Sequence, residues 1–161
     1  GLAALAGAAL APDDEMLILD LRTGLVRYAV AKSVCAEERL ERAAHKMADR
    51  GVHHLPVIDR RGAVVGVLSQ HDLLRATDRA HGTVADLMST DVKSVAPDTH
   101  AHEAAYLLLH HRIGCVPVTD ATGRLVGIVT ESDFVRVAYR LLGGKVPLDQ
   151  LEEEEAEAER V

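Results

Sequence analysis

The chain has 161 residues and a hydrophobic content of 48%, enough for one compact domain or two small intertwined halves. With three Tyr, one Phe and no Trp, its core must be built from Val, Leu, Ile and Ala, and it offers few platforms for stacking bases. The formal net charge is −7, but the segment 149–161 holds seven acids against one Arg; the rest is near neutral and shows no basic stripe, which argues against duplex nucleic acid as a partner.

In chain order, the opening GLAALAGAALA is apolar, short and without a basic flank. It reads as a small-residue leader, weakly helical or disordered, rather than a signal peptide. No run of 18 apolar residues follows, so no membrane insertion is expected. Cys35 and Cys115 form no CxxC pair, which points to a reducing cytoplasm rather than a disulfide framework.

From residue 30 the chain writes one unit twice. Residues 30–80 lie on 91–141 at an offset of 61 without a gap, and 14 of the 51 positions are identical. Each unit opens on a short apolar strand (AKSV, VKSV). Helix-start chemistry follows at Glu37-Glu38 and Asp98-Thr99. Helices are predicted over 38–50 and 99–111, with apolar positions Leu40, Ala43, Ala44, Met47 and Ala101, Ala104, Ala105, Leu108 on one face. LPVID and VPVTD read as strands. Turns at Asp59 and Asp120 end on Gly62 and Gly123. AVVGVLS and RLVGIVT are β-branched strands, and closing helices start near Gln70 and Glu131. The unit is β-α-β-β-α, too small to close its own core, so two should pack together. The expected class is α+β, with a pseudo-two-fold between tandem units.

The stretches GVHHLPVIDRRGAVVGVLSQHDLLRA and RIGCVPVTDATGRLVGIVTESDFVRVA resemble CBS (cystathionine β-synthase type) motifs, paired as in a Bateman module. LMSTDVKSVAPDTHAHEAA resembles the opening of such a motif; LRTGLVRYAVAKSV, its counterpart in the first unit, is less typical. The resemblance spans roughly 20–142. It divides the chain into a leader at 1–19, motifs at 20–80 and 81–142, and an acidic tail or helix at 143–161.

Both units carry Gly, apolar, any residue, Ser/Thr, two variable residues, Asp. Ser69 with Asp72, and Thr130 with Asp133, each end a strand and begin a helix. As pure structure this is a capping pattern, with the acid at the positive end of the helix. The same geometry suits a ligand: helix N–H groups attract an anion, and a carboxylate accepts hydrogen bonds from a ribose diol. In proteins similar to this one the pattern marks an adenine-nucleotide site, so the resemblance implies Ser69 and Asp72 at one site and Thr130 and Asp133 at another. It also implies phosphate contacts from His53 and His54, just before Leu55-Pro56, as imidazoles donate to phosphate. Their counterparts Gly114 and Cys115 carry no charge, so the sites should be unequal, with Arg112 a candidate to compensate. Leu55 and Val116 would wall the adenine or simply pack the core. His53-His54 read structurally would be a strand-edge pair, one ring buried and one solvated.

Nine histidines raise the question of metal, but no HExxH, CxxC or carboxylate–His triplet stands out. No nucleophile has a His–Asp relay, and no acid–base pair is evident, so no catalytic residue, catalytic cofactor or metal site is expected. The expected function is regulatory sensing of AMP, ADP or ATP between the repeats, in a cytoplasmic protein. By resemblance it forms a homodimer. The alternatives are a ligand-free dimerisation or interaction scaffold and a histidine-based metal-responsive module.

Overall fold

The pseudo-dyad expected from the duplication is visible in the backbone. In the computed structural model, residues 18–20, 25–27, 32–76 and 81–144 are described. The first elements are an antiparallel pair, β1 (Ile18–Asp20) and β2 (Leu25–Arg27). The first repeat follows with β3 (Val34–Cys35), α1 (Leu40–Arg50), β4 (His54–Ile58), β5 (Val64–Ser69) and α2 (Gln70–Arg75). A short helix, α3 (Val84–Leu87), precedes the second repeat: α4 (Ala101–His111), β6 (Cys115–Thr119), β7 (Leu125–Thr130) and α5 (Glu131–Leu141). The mixed α+β class and the tandem units stand as expected. Of the leader, residues 1–17 lie outside the described residues, and Ile18 and Leu19 belong to β1. The acidic segment 149–161 also lies outside them.

The helices form because their apolar spacing gives a face to bury. Leu40, Ala43 and Met47 of α1 and Ala101, Ala104 and Leu108 of α4 are buried at matching positions. They pack on strands whose apolar residues are equally inaccessible: Leu55, Val57 and Leu68 in the first repeat, Val116, Val118 and Val129 in the second. Each β4–β5 and β6–β7 hairpin is antiparallel, with an irregularity at the same place, between Val57 and Ile58 and between Val118 and Thr119. Asp59 and Asp120 form the turns as predicted. Asp59 Oδ1 accepts from the Arg61 and Ala63 amides, Asp120 Oδ1 from those of Thr122 and Arg124. Gly62 and Gly123 both stand at φ 82°, a left-handed conformation that favours glycine.

The two hairpin tips join the repeats. The Val64 amide donates to the Gly123 carbonyl at 3.1 Å, and the Leu125 amide to the Gly62 carbonyl at 2.9 Å. Those bonds exchange under the offset of 61, which is the mark of a two-fold relation.

Three expectations need correction. The opening strands are shorter than AKSV and VKSV suggest: β3 is two residues, and in the second unit Val95 makes only an isolated parallel bridge with Val118. The helices start at Leu40 and Ala101, two residues late, because the polar residues before them serve the preceding turn. Glu38 Oε1 accepts from the Cys35 amide and from Lys46, and Thr99 Oγ1 accepts from the Ala96 amide. Finally, α3 was not foreseen. It opens with a Thr83–Asp86 capping box and buries Val84 in the core of the first repeat. Ser89 beyond it exchanges two backbone hydrogen bonds with Val67 of β5, so this linker is a part of the first repeat's sheet.

Candidate functional site

Both hydroxyl–carboxylate pairs sit where a strand turns directly into a helix. Ser69 is the last residue of β5 and the N-cap of α2. Its amide and its Oγ both donate to Asp72 Oδ2, at 2.9 and 2.6 Å, and the Asp72 amide donates back to Oγ at 3.1 Å. In the second repeat the Thr130 amide and Oγ1 donate to Asp133 Oδ2 at 2.6 and 2.9 Å. Asp133 is buried, at 8% exposure, while Asp72 is half-buried. Arg136 Nη1 lies 3.4 Å from Asp133 Oδ1. The linker pair Thr83–Asp86 has the same local geometry, with both bonds at 2.8 Å. Capping alone therefore accounts for the hydrogen bonds. What distinguishes Ser69–Asp72 and Thr130–Asp133 is their duplicated place at the ends of paired strands.

The two histidines part company. His53 is exposed and its Nδ1 lies 2.7 Å from Gln70 Oε1, over the start of its own repeat's closing helix. His54 is half-buried and crosses to the other repeat. A Cβ built on Gly114 would lie 2.4 Å from His54 Cε1 and 2.5 Å from its Nε2. Gly114 is the counterpart of His53, so the space that a side chain would fill in the second repeat is taken by a ring from the first. Burial, and then the neighbouring His53, hold the His54 pKa below the ordinary imidazole value; the carboxylates of Glu131 and Asp72 pull it the other way. The half that the sequence leaves without charge thus has an imidazole from the other repeat of the same chain beside it.

The remaining candidates behave structurally. Leu55 and Val116 are sealed in the core, at 1% and 0% exposure, which is a packing role rather than that of a wall a ligand reaches. Arg112 is exposed at the C-cap of α4 with φ 53°, where the first repeat has Gly51 at φ 59°. A non-glycine residue there costs on the order of 1 kcal/mol. Cys115 is buried, and burial pushes its thiol up to about 12, far from a reactive thiolate. His102 stacks on His100 at 5.7 Å and His110 on Tyr106 at 5.0 Å. Among the described residues no group of three or more His, Cys, Asp or Glu could hold a metal ion. A cavity of about 580 Å³ opens at the start of α1, lined by residues such as Cys35, Glu38, Arg42 and His45, and includes none of the motif residues. No helix among the described residues is long and apolar enough to cross a membrane.

Sequence reasoning missed the His54–Gly114 contact and the Arg136–Asp133 pair. The identity of Arg75 and Arg136 in the duplication was the available signal, but nothing local tied that Arg to the carboxylate.

Comparisons with known proteins fit this architecture. The CBS domain profile matches residues 29–79 and 84–140. CBSX2 of Arabidopsis thaliana superposes with a TM-score of 0.62 at 32% identity, covering 69% of this chain and 87% of that one. CBSX2 has also been solved in complex with AMP, at 33% identity and a TM-score of 0.61 over 69% of this chain and 89% of that one. The CBS domain pair of protein MJ0100, in complex with 5′-methylthioadenosine and S-adenosyl-L-methionine, gives a TM-score of 0.65 at 27% identity over 83% of this chain and all of that one. Magnesium transporter MgtE of Thermus thermophilus is 36% identical over 110 residues, 68% of this chain. The cytosolic domain of MgtE, solved with ATP, gives a TM-score of 0.59 at 32% identity over 66% of this chain and 44% of that one. The chain spans only 19–24% of the first curated relatives it matches. With two profile matches over the two repeats and the same paired fold in solved relatives, the chain belongs to the CBS domain family, as a tandem pair.

Proposed function

We propose that this module binds an adenine nucleotide of the AMP, ADP or ATP class in the clefts between its repeats, and that it regulates rather than catalyses. The observation that carries the reading is the duplicated junction: in both repeats a hydroxyl and an amide fix the same carboxylate at the end of a strand. A carboxylate oriented in advance accepts the vicinal hydroxyls of a ribose without a further ordering cost. His53 and His54 would meet the phosphates, His54 from a position against the second repeat. The adenosyl ligands of CBSX2, the MJ0100 pair and the MgtE cytosolic domain support the ligand class. Ligand binding would bias how the halves, or two copies of the module, pack. A homodimer is part of this proposal, because α4 and α5 leave Tyr106, Leu109, Val135 and Leu141 well exposed at 58%, 78%, 67% and 67%. Placement in the cytoplasm belongs to the same reading.

The test is isothermal titration with AMP, ADP and ATP, with S-adenosylmethionine and NAD alongside, and sedimentation velocity with and without ligand. Saturable heat from one or more adenylates and a dimer-sized species are expected. Absence of heat from every adenosyl compound would sink the binding reading; a monomer at all concentrations would remove the dimer.

A further inference from the structure

A carboxylate offers two oxygens, each able to accept about two hydrogen bonds. In both repeats Oδ2 is filled by the amide and hydroxyl of the preceding Ser or Thr. The repeats differ at Oδ1. Asp133 Oδ1 faces the guanidinium of Arg136 at 3.4 Å, and the whole side chain is nearly closed off from solvent. Arg75 is the counterpart of Arg136, yet it is exposed and, among the described residues, makes no ion pair with Asp72. The Asp72 carboxylate is half-buried, and its Oδ1 takes none of the bonds that hold the Ser69 turn. A diol arriving at Asp72 finds an open acceptor. One arriving at Asp133 must displace the guanidinium or share the oxygen with it.

We propose that the two sites fill in order: the Ser69–Asp72 site first, with Arg136 acting as a latch that keeps the Thr130–Asp133 site in a low-affinity state by occupying Asp133 Oδ1. This rests on the nucleotide reading above and adds to it the rank of the sites and the residue that sets it. Arg136 is a positioning residue: it acts through Asp133. A ligand that fills the second site must release Arg136, so occupancy there would be coupled to movement of α5, the helix that carries Arg136 and part of the exposed apolar surface.

The experiment is titration with AMP of Asp72→Asn, which leaves the second site, and Asp133→Asn, which leaves the first; both changes keep the shape of the side chain. Asp133→Asn is expected to retain the tighter binding step of the unmodified chain, and Asp72→Asn to bind about tenfold more weakly, the order of one charge-assisted hydrogen bond. Adding Arg136→Gln to Asp72→Asn should strengthen the residual site by about fivefold, the upper end for a partly exposed ion pair. Should Asp72→Asn fail to fold, Arg136→Gln in the otherwise unchanged chain carries the test: the weaker step tightens and the tighter one stays. Equal affinities for the two Asn variants overturn the ranking while leaving nucleotide binding intact. Weaker binding with Arg136→Gln overturns the latch, because Arg136 would then contact the ligand itself. No heat from the unmodified chain overturns the nucleotide reading and this inference together.

Discussion

Replacing Leu68 by Ala is expected to lower the stability of the module by about 2–5 kcal/mol, the range for truncating a fully buried leucine. Leu68 is 0% exposed and pairs across the hairpin with Leu55, itself 1% exposed. Both belong to the cluster that holds Leu40, Ala43 and Met47 of α1, Leu73 of α2 and Val84 of the linker helix. The cavity left by Ala would therefore border four elements, each fixed by its own hydrogen bonds, and could collapse only in part. A domain of ordinary stability holds about 5–15 kcal/mol in all, so the loss is a large share. Urea denaturation followed by circular dichroism measures it. Leu74→Ala is the control: at 68% exposure and outside the apolar surface of α4 and α5, it should change stability by no more than about 0.5 kcal/mol. A Leu68→Ala loss below about 1 kcal/mol would mean that this core is not packed as described.

The second large effect is expected from Gly114→Val. The built Cβ falls within van der Waals overlap of the His54 ring, and a β-branched side chain adds two further methyl groups at that point. The ring is a side chain and can swing away, so the cost should be about 1–3 kcal/mol, the range for overpacking. Its signature is electrostatic. His54 is held below its ordinary pKa chiefly by burial, and then by His53. Displaced into water, the imidazole should titrate higher, which NMR of the ring protons reads directly. The sign for stability follows. With a depressed pKa the folded state binds the proton less readily than the unfolded one. This contribution is therefore present above the unfolded value near 6.5 and is lost as pH falls through the folded pKa. Gly114→Val should flatten that dependence. An unchanged His54 titration would show that the ring does not rest on Gly114.

These expectations separate what is local from what is not. Helix and strand positions were legible because they depend on spacing within about a dozen residues: Gln70 and Glu131 begin their helices where the strand-to-helix pattern placed them. The turns were legible for the same reason, since Asp59 and Asp120 bond to amides two and four residues on. The late helix starts were not, because Glu38 and Thr99 suit a helix start and the turn before it equally well in sequence, and both bond back to the amide three residues earlier. Of the candidate site, the two Ser/Thr–Asp junctions were legible in full, as each is a contact over three residues. Leu55 and Val116 were not assignable, because in sequence a pocket wall and a core residue look alike.

The sequence by itself determined the duplication, the β-α-β-β-α unit and the two carboxylate junctions, all carried by short-range periodicity and by an offset of 61 written without a gap. It also set the composition of the interface at one point: a glycine at 114 where the first repeat has a histidine. Only the tertiary structure decided what that glycine is for, because the ring that needs the space lies 60 residues away and approaches through the pseudo-dyad. In the same way the linker helix joined the first repeat rather than the second, since burial of Val84 and the backbone pairing of Ser89 with Val67 depend on which surfaces meet after folding. The differing pairing of Arg75 and Arg136, identical letters at equivalent positions, was fixed there too. The surroundings of a long, flexible cation, not its identity, decide where its charge comes to rest.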